Sequence, residues 1–127
     1  MKIVEGGFPE DKAWRSMVLL SIGEELRVTW QLGLDLALAN EGEVVAAVII
    51  PSTNGDSLTQ ARNTLAEARR ACDPDDPLYT VIIQDKDYTK GVRRFVHEAD
   101  IDLLLASADV PHWHNLNRMP CAVLAVR

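Results

Sequence analysis

Five short runs of consecutive apolar residues recur along the chain, and they constrain the fold more than any other feature of the sequence. An unbroken apolar run of this length is typical of a parallel strand buried on both faces, because a strand with one wet face alternates apolar and polar residues. The sequence therefore predicts five buried strands, over residues 17–22, 44–50, 78–84, 101–107 and 121–126.

Apolar residues at helical spacing connect these runs. Between the second and third predicted strands, Ser57 and Gln60 form a capping box that opens such a segment. Before the fourth predicted strand a second segment begins, with Asp87 or Thr89 placed to cap it. We predict a helix in each segment, and the apolar positions are Leu58, Ala61, Leu65, Ala68 and Cys72 in the first and Val92, Phe95, Val96 and Ala99 in the second.

Residues 24–40 fit two different periods. Leu26, Val28 and Trp30 begin an alternation of apolar and polar residues that is typical of a strand. The segment is long for a strand and rich in Leu and Ala, and a helix would collect many of its apolar residues on one face, so we predict a helix. Such a helix is apolar over most of its circumference, and we expect something besides its own sheet to bury it.

The length and the element order fit one α/β domain. A chain of 127 residues has about the commonest domain size. Strands that alternate with helices predict a five-stranded, mostly parallel sheet with right-handed crossovers and helices on both faces. Residues 1–16, with Gly6, Gly7 and Pro9, are predicted to be an irregular lead-in to a domain over residues 15–127.

Charge and hydropathy exclude several classes of partner. A net charge of −6 repels a phosphate backbone, so no nucleic-acid binding is expected. No apolar run reaches the ~20 residues that cross a bilayer, so no membrane insertion by this chain is expected. Cys72 and Cys121 are far apart in sequence, which favours two reduced thiols over a disulfide and predicts a cytoplasmic location.

Three segments carry a resemblance to a known family. Residues 17–23 lead from an apolar run through a glycine towards the long helix, residues 99–107 read Ala-Asp-Ile-Asp-Leu-Leu-Leu-Ala-Ser, and residues 119–127 read Met-Pro-Cys-Ala-Val-Leu-Ala-Val-Arg. In this order they make the chain similar to the universal stress protein family from about residue 15 to residue 127. The resemblance implies a Rossmann-like, adenine-nucleotide alpha-hydrolase-like fold with the strand order 3-2-1-4-5.

That strand order implies a ligand crevice between the first and fourth predicted strands. Open α/β sheets bind ligands at the carboxyl ends of their strands, at the point where the strand order reverses. The residues implied there are Ser21, Ile22, Gly23 and Glu24 on one side and Ala106, Ser107, Ala108 and Asp109 on the other.

The sequence departs from the ATP-binding members of the family in this crevice. Those members carry an Asp where this chain has Ile22, and a glycine-rich loop after the fourth strand closes on the phosphates. Residues 108–118 contain no glycine, and Glu24 and Asp109 would place negative charge beside a triphosphate. The chain is therefore predicted not to bind ATP in the family's manner, and no cofactor is expected.

The loop before the last predicted strand offers an alternative, a metal site. His112, His114, Asp109 and Cys121 include the ligand types that zinc prefers. Alternate residues of a loop often point to opposite sides, so we favour a polar surface loop with Trp113 packed down, and we predict no metal site.

No catalytic constellation is visible in the sequence. Ser21 and Ser107 do not lie in a Gly-x-Ser-x-Gly motif, and no His and Asp are arranged to activate them. His97 has no nucleophile beside it and is predicted to be a solvated helix residue. The chain is therefore predicted not to be an enzyme.

The last two predicted strands are separated by residues 108–120 alone, so the fourth helix of the family fold is predicted to be missing or reduced to a turn. Its loss would leave part of one sheet face bare, and an uncovered apolar face marks a contact surface. Phe8 and Trp14 from the lead-in, Trp113 from the loop, or a partner could cover that face.

The resemblance also implies a homodimer. Family members commonly pair their last strands edge to edge, and the corresponding residues are Cys121, Ala122, Val123, Leu124, Ala125 and Val126. We expect a regulatory or dimerisation module of the stress response, either free-standing or the covalently linked or docked cytoplasmic domain of a transporter (an amino-acid permease, a cation–chloride cotransporter or an antiporter). The alternative is a small-molecule or nucleotide sensor that uses the crevice.

Overall fold

The computed structural model describes residues 1–9, 13–22, 28–107, 116 and 118–126. Within these ranges strands and helices alternate along most of the chain, as the sequence predicted. The strands are β1 (Lys2–Glu5), β2 (Arg15–Leu19), β3 (Glu43–Ile50), β4 (Leu78–Gln84), β5 (Leu103–Ser107) and β6 (Ala122–Val126). The helices are α1 (Val28–Ala39), α2 (Gly55–Arg70) and α3 (Tyr88–Glu98).

The strands form one sheet in the order β1-β4-β3-β2-β5-β6. Every neighbouring pair is parallel except β1 and β4, which run antiparallel. The five strands predicted from the apolar runs are all present in the implied order, so the α/β fold class is confirmed. The strand count of five is wrong, because β1 adds a sixth strand beside β4.

β1 lies in the segment that we predicted to be irregular, and that interpretation is wrong for Lys2–Glu5. Ile3 packs against the cluster under α3 and Val4 against the cluster under α1 and α2, so successive side chains serve opposite faces of the sheet. Two apolar residues between a Lys and a Glu are too few to reveal this period in the sequence. The division into a lead-in and a domain from residue 15 stays a prediction.

β2 begins at Arg15, earlier than predicted, because a charged residue is buried inside the strand. Arg15 is only 2% exposed. Its Nε donates to Glu43 Oε2 at 2.9 Å, its Nη1 donates to the Ala99 carbonyl at 3.1 Å, and its backbone N–H donates to Asp102 Oδ2 at 2.9 Å. A buried charge is tolerated when it is paired in this way, and a local sequence pattern does not reveal partners so far along the chain.

α1 and α2 cover one face of the sheet. Trp30 and Ala37 of α1 share a buried cluster with Leu65 of α2 and with the side chains of β3 that point to this face. The helix predicted over residues 24–40 is therefore confirmed over Val28–Ala39, and residues 24–27 lie outside the described residues.

Gly33 lets α1 approach β2 closely. A Cβ atom at this position would lie 2.4 Å from Val18 Cγ2, which is closer than two carbon atoms can pack. The Gly33 carbonyl also accepts a hydrogen bond from the buried Ser16 hydroxyl at 2.9 Å. The helix is thus fixed against the strand by a steric fit and a buried hydrogen bond.

α3 covers the opposite face, as right-handed crossovers require. Its Phe95 and Val96 are buried there, and Phe8 of the lead-in stacks on Phe95 with ring centroids 5.2 Å apart. Of the aromatic residues expected to cover the bare part of this face, Phe8 lies on this side of the sheet against α3 and is 38% exposed. Trp14 packs instead against the α1 and α2 cluster, and Trp113 lies outside the described residues.

The predicted loss of a fourth helix concerns residues 108–120, of which the structure describes 116 and 118–120. Leu116 is fully buried in the cluster under α3, and Met119 packs against that cluster. The segment therefore contributes to the core at these two positions, while residues 108–115 and 117, on which the prediction depends, lie outside the described residues.

The helices of the described residues include none that is long and apolar enough to span a membrane. Cys72 and Cys121 are free thiols, and burial is the main reason that the pKa of each lies above its ordinary value. Both cysteines therefore keep their protons at neutral pH and are weak nucleophiles.

Candidate functional site

The carboxyl ends of β2 and β5 diverge. Pairing between these strands ends at Val18 and Leu105, although β5 stays paired with β6 to its last residue. Beyond β2, the Leu20 N–H donates to the Ala47 carbonyl of β3 at 2.9 Å, so the chain follows β3 and not β5. The divergence lies at the topological switch of the sheet, which is the position where α/β sheets bind ligands, and we call the region between these strand ends the candidate crevice.

Four of the residues predicted for this crevice are described, and they lie at the ends of the two strands. That they line a ligand site stays a prediction. Ser21 and Ile22 follow β2, which ends at Leu19 rather than at the predicted residue 22, and Ala106 and Ser107 end β5. Ile22 is 39% exposed, Ala106 is buried, and both serines are partly buried. The other four, Gly23, Glu24, Ala108 and Asp109, lie outside the described residues.

The described side chains of the crevice carry no charge. Ser21 and Ser107 have hydroxyl groups, which can donate and accept hydrogen bonds, whereas Ile22 presents an apolar surface. A triphosphate with its metal ion needs charged or closely converging polar partners. The described part of the crevice is therefore suited to a small ligand with an apolar portion and a few polar groups.

No group of three or more His, Cys, Asp or Glu residues that could hold a metal ion occurs within the described residues. His112, His114 and Asp109, the residues of the alternative metal interpretation, lie outside them.

Trp30 supplies a polar group that the sequence did not reveal. It lies near the start of α1 and is 3% exposed, yet its indole Nε1–H has no hydrogen-bond partner among the described residues. Buried tryptophans usually satisfy this donor. The buried cluster that contains Trp30 also contacts Leu20, the residue between β2 and the crevice. The indole N–H is therefore a candidate contact for a ligand or a water molecule, and only its place on the apolar helical face could be predicted.

β6 is a second candidate site, because it forms an edge of the sheet within the described residues. It has no charged residue, and Leu124 on it is 39% exposed. The strand at the other edge, β1, begins with Lys2 and ends with Glu5, and its register is irregular between Ile3 and Glu5. Charges and bulges protect an edge from pairing with another chain, and β6 has neither. The predicted edge residues thus lie at an open edge, with Cys121 just before the strand.

No family model matches the sequence. No curated protein matches it either.

Solved structures of universal stress proteins do match the chain. The universal stress protein from Archaeoglobus fulgidus in complex with dAMP is 11% identical, with a TM-score of 0.74 over 90% of this chain and 98% of that one. A universal stress protein in complex with cAMP is 18% identical, with a TM-score of 0.66 over 91% of this chain and 98% of that one. Universal stress protein UspA from Lactobacillus plantarum is 16% identical, with a TM-score of 0.58 over 93% of this chain and all 100% of that one.

The fold implied by the sequence resemblance is therefore confirmed. The chain has the universal stress protein fold along about nine tenths of its length.

Proposed function

We propose that this chain is a cytoplasmic, non-catalytic regulatory module with the universal stress protein fold, which forms homodimers through β6 and does not bind ATP in the manner of the ATP-binding family members. The observation that carries the proposal is the contrast between the two sheet edges. β1 covers the β4 edge with a charged, irregular strand, whereas β6 leaves an uncharged apolar strand open.

Self-association through β6 would pair the unpaired edge of that strand and cover its exposed apolar side chain. An unpaired edge exposes backbone donors and acceptors, and two copies related by a two-fold axis satisfy each other's edge in antiparallel pairing. Leu124 would then be covered by the second copy. The dimer would form a continuous sheet with one β1 edge at each end.

The chemistry of the crevice supports the ATP part of the proposal. Its described side chains are uncharged, and Ile22 stands where the resemblance implies an Asp in ATP-binding members. Residues 108–118 contain no glycine to bring backbone N–H groups onto a phosphate chain. A phosphate chain would therefore lack most of its usual contacts.

A second function is favoured by the solved neighbours. Two of them are described as complexes with dAMP and with cAMP, each of which carries a single phosphate. The crevice and the unpartnered Trp30 N–H would suit a sensor for a small molecule or a nucleotide that depends little on a triphosphate. The sensor would use Ser21 and Ser107 for orientation.

A thermal-shift series with ATP, AMP, cAMP, cyclic dinucleotides and NAD separates the two functions. A ligand at ten times its Kd stabilises the folded state by about 1.4 kcal/mol, which raises the Tm of a domain of this size by about 4 °C. We expect no ATP shift that comes from the crevice, which is measured in the variant Lys90→Gln/Arg93→Gln, where a separate basic groove on α3 described below is disabled. A clear ATP shift in that variant would overturn the first proposal, and no shift with any ligand would overturn the sensor.

The dimer is tested by light scattering after gel filtration at tens of micromolar protein. We expect the wild type to elute as a dimer and Leu124→Lys as a monomer, because the new charge would be buried at the two-fold axis. Tyr79→Lys is the control, since Tyr79 is 42% exposed on β4, away from the β6 edge. A monomeric wild type, or equal dissociation of both variants, would contradict the β6 interface.

We also propose one of two contexts for the module, free-standing or part of a transporter. Leu38 is 49% exposed on α1, the helix that we expected a further element to bury. An immunoblot of the native protein distinguishes the contexts. A band near 14.1 kDa in the soluble fraction indicates a free-standing protein, and a much larger band in the membrane fraction indicates a transporter domain.

A further inference from the structure

Four basic side chains form a stripe along the exposed side of α3. Lys90, Arg93, Arg94 and His97 are spaced at i, i+3, i+4 and i+7, which places them on one face of a helix. Together with Asp85 and Met1, they line an open groove of about 570 Å³. The stripe extends for roughly 10 Å along the helix axis.

The stripe has little neutralising charge around it. Within the described residues, no ion pair or hydrogen bond engages the side chains of Lys90, Arg93 or His97, and Arg94 pairs with Glu98 at 3.1 Å. Asp85, the acidic residue of the groove, accepts the Asp87 N–H at 2.9 Å, lies 3.4 Å from the Met1 amine and is near enough to Lys90 for that charge to help lower its pKa.

This arrangement is unfavourable for the helix by itself. Like charges three and four residues apart repel each other, and no packing in the described structure requires long basic side chains at exposed positions. The protein as a whole carries a net charge of −6, so the stripe is a local reversal of its surface charge. A negatively charged ligand would relieve the repulsion between these side chains and would be attracted to all of them.

We propose that the α3 groove binds a small anion that carries several linked phosphate groups, either free or at the end of a nucleotide. Guanidinium groups match phosphate oxygens with paired hydrogen bonds, and the Arg93 and Arg94 side chains are adjacent in the groove. The volume is that of a small-ligand site and not of a protein interface. The described lining contains no Trp, Tyr or Phe and consists mainly of basic side chains that match phosphate oxygens, so we take the phosphate chain as the recognised part.

The groove is separate from the crevice. Asp85 follows β4, and β3 and β2 lie between β4 and the crevice in the sheet. The inference therefore does not depend on the proposed function, and the two can fail independently.

Calorimetric titration with inorganic tripolyphosphate tests the proposal. The variant Lys90→Gln/Arg93→Gln removes two exposed cations from the groove, and Arg69→Gln/Arg70→Gln removes two exposed cations from the end of α2 as the control. Each variant changes the net charge from −6 to −8, two positive charges fewer, so the general attraction for anions falls equally. At about 50 mM salt, where the Debye length exceeds about 10 Å, we expect binding to the wild type at sub-millimolar Kd.

We expect the groove variant to bind at least about tenfold more weakly and the control less than about twofold more weakly, because contacts within the groove act at shorter range than the net charge. No binding to the wild type, or equal weakening of both variants, would overturn the proposal. A hexaglutamate peptide that binds more tightly than tripolyphosphate, with the same sensitivity to Lys90 and Arg93, would assign the groove to acidic peptides and also overturn it.

A parallel titration with ATP distinguishes this site from the crevice. ATP binding that is lost in the groove variant supports a nucleotide as the source of the phosphate chain. ATP binding that survives in the groove variant, while tripolyphosphate does not bind, would contradict both the groove proposal and the proposed absence of ATP from the crevice.

Discussion

The amino and carboxyl ends of the central strands are built from different kinds of interaction. At the amino ends, the buried Arg15 joins β2 to Glu43 at the start of β3 and to the Ala99 carbonyl after α3. At the carboxyl ends, β2 and β5 separate after Val18 and Leu105, and the described residues that flank the separation are apolar or hydroxylic. A buried ion pair thus joins the strands at the amino ends, whereas the described residues that flank the separation at the carboxyl ends contain no charged side chain.

The two ends of the sheet also differ in how fully their buried polar groups are hydrogen-bonded. One nitrogen of Arg15, Nη2, has no partner within the described residues, but its Nε and Nη1 donate hydrogen bonds and its charge is paired with Glu43. Trp30, whose cluster reaches the carboxyl end, has a single polar atom, and that atom has no partner among the described residues. Each unsatisfied buried donor needs an explanation, but the Arg15 side chain is otherwise paired, whereas the Trp30 side chain makes no polar contact within the described structure.

The strongest test of this contrast is Arg15→Ala. Loss of the guanidinium leaves Glu43, whose side chain is 16% exposed, and the Ala99 carbonyl without their partner. We expect the free energy of unfolding to fall by about 3 kcal/mol in urea titrations. The exposed Arg94→Ala, which also breaks an ion pair, should cost less than about 0.5 kcal/mol. Equal losses in the two variants would show that the amino end is not specially stabilised.

Gly33→Ala tests whether α1, which runs from the carboxyl end of the sheet to its amino end, is tightly packed against β2. The added methyl group would meet Val18 Cγ2 at 2.4 Å, so α1 must shift away from β2 and strain the Ser16 hydrogen bond. We expect a loss of about 2 kcal/mol by thermal unfolding. Gly55→Ala is the control, because no atom lies within 4 Å of its Cβ position, and it should be neutral within about 0.5 kcal/mol. A neutral Gly33→Ala would mean that the contact between helix and strand is loose.

The difference between the ends also explains what the sequence could predict. Apolar runs identified all five parallel strands, because burial on both faces leaves a local signal. They missed Arg15 as the first residue of β2, because its partner Glu43 is distant in sequence and only the folded chain brings them together. They missed β1 as well, since its Ile3 and Val4 are too few to show a period.

The position of the crevice could be predicted from the sequence, but only some of the residues and polar groups beside it could be. Strand order alone predicts it between β2 and β5, where Ser21 follows β2 and Ser107 ends β5, and a binding role for either serine stays a prediction. The unpartnered N–H of Trp30 was not predictable, because hydrogen-bond satisfaction depends on neighbours that a helical period does not specify.

Trp30→Phe tests whether the indole N–H is truly unsatisfied. The smaller ring loses packing, but the substitution also removes a buried donor without a partner, and the two effects partly cancel. We expect a change in unfolding free energy below about 1 kcal/mol, while Trp30→Ala should cost about 3 kcal/mol because it leaves a cavity. A loss above about 2 kcal/mol for Trp30→Phe would show that the N–H has a partner, and the carboxyl end would then be as well satisfied as the amino end.

Substitution of Asp85, at the carboxyl end of β4, is expected to have the smallest effect on the free energy of unfolding, and that effect should depend on pH. The backbone N–H of Asp87, followed by the Met1 amine, holds the pKa of Asp85 below its ordinary 3.8. A lowered carboxyl pKa contributes stability that is present above the unfolded-state pKa and is lost as the pH falls through the folded-state pKa.

Asp85→Asn should therefore be slightly less stable than the wild type at pH 7, and the difference should shrink as the pH falls through the folded-state pKa of Asp85, below which both side chains are neutral. Asp75→Asn, an exposed residue in no hydrogen bond or ion pair of the described structure, should show no such convergence. We expect less than about 1 kcal/mol at neutral pH, measured by urea unfolding across the pH range, because the amide oxygen of the substituted side chain can still accept the Asp87 N–H. A difference as large as that of Arg15→Ala would place a second stabilising centre at the carboxyl ends, and the contrast between the two ends of the sheet would fail.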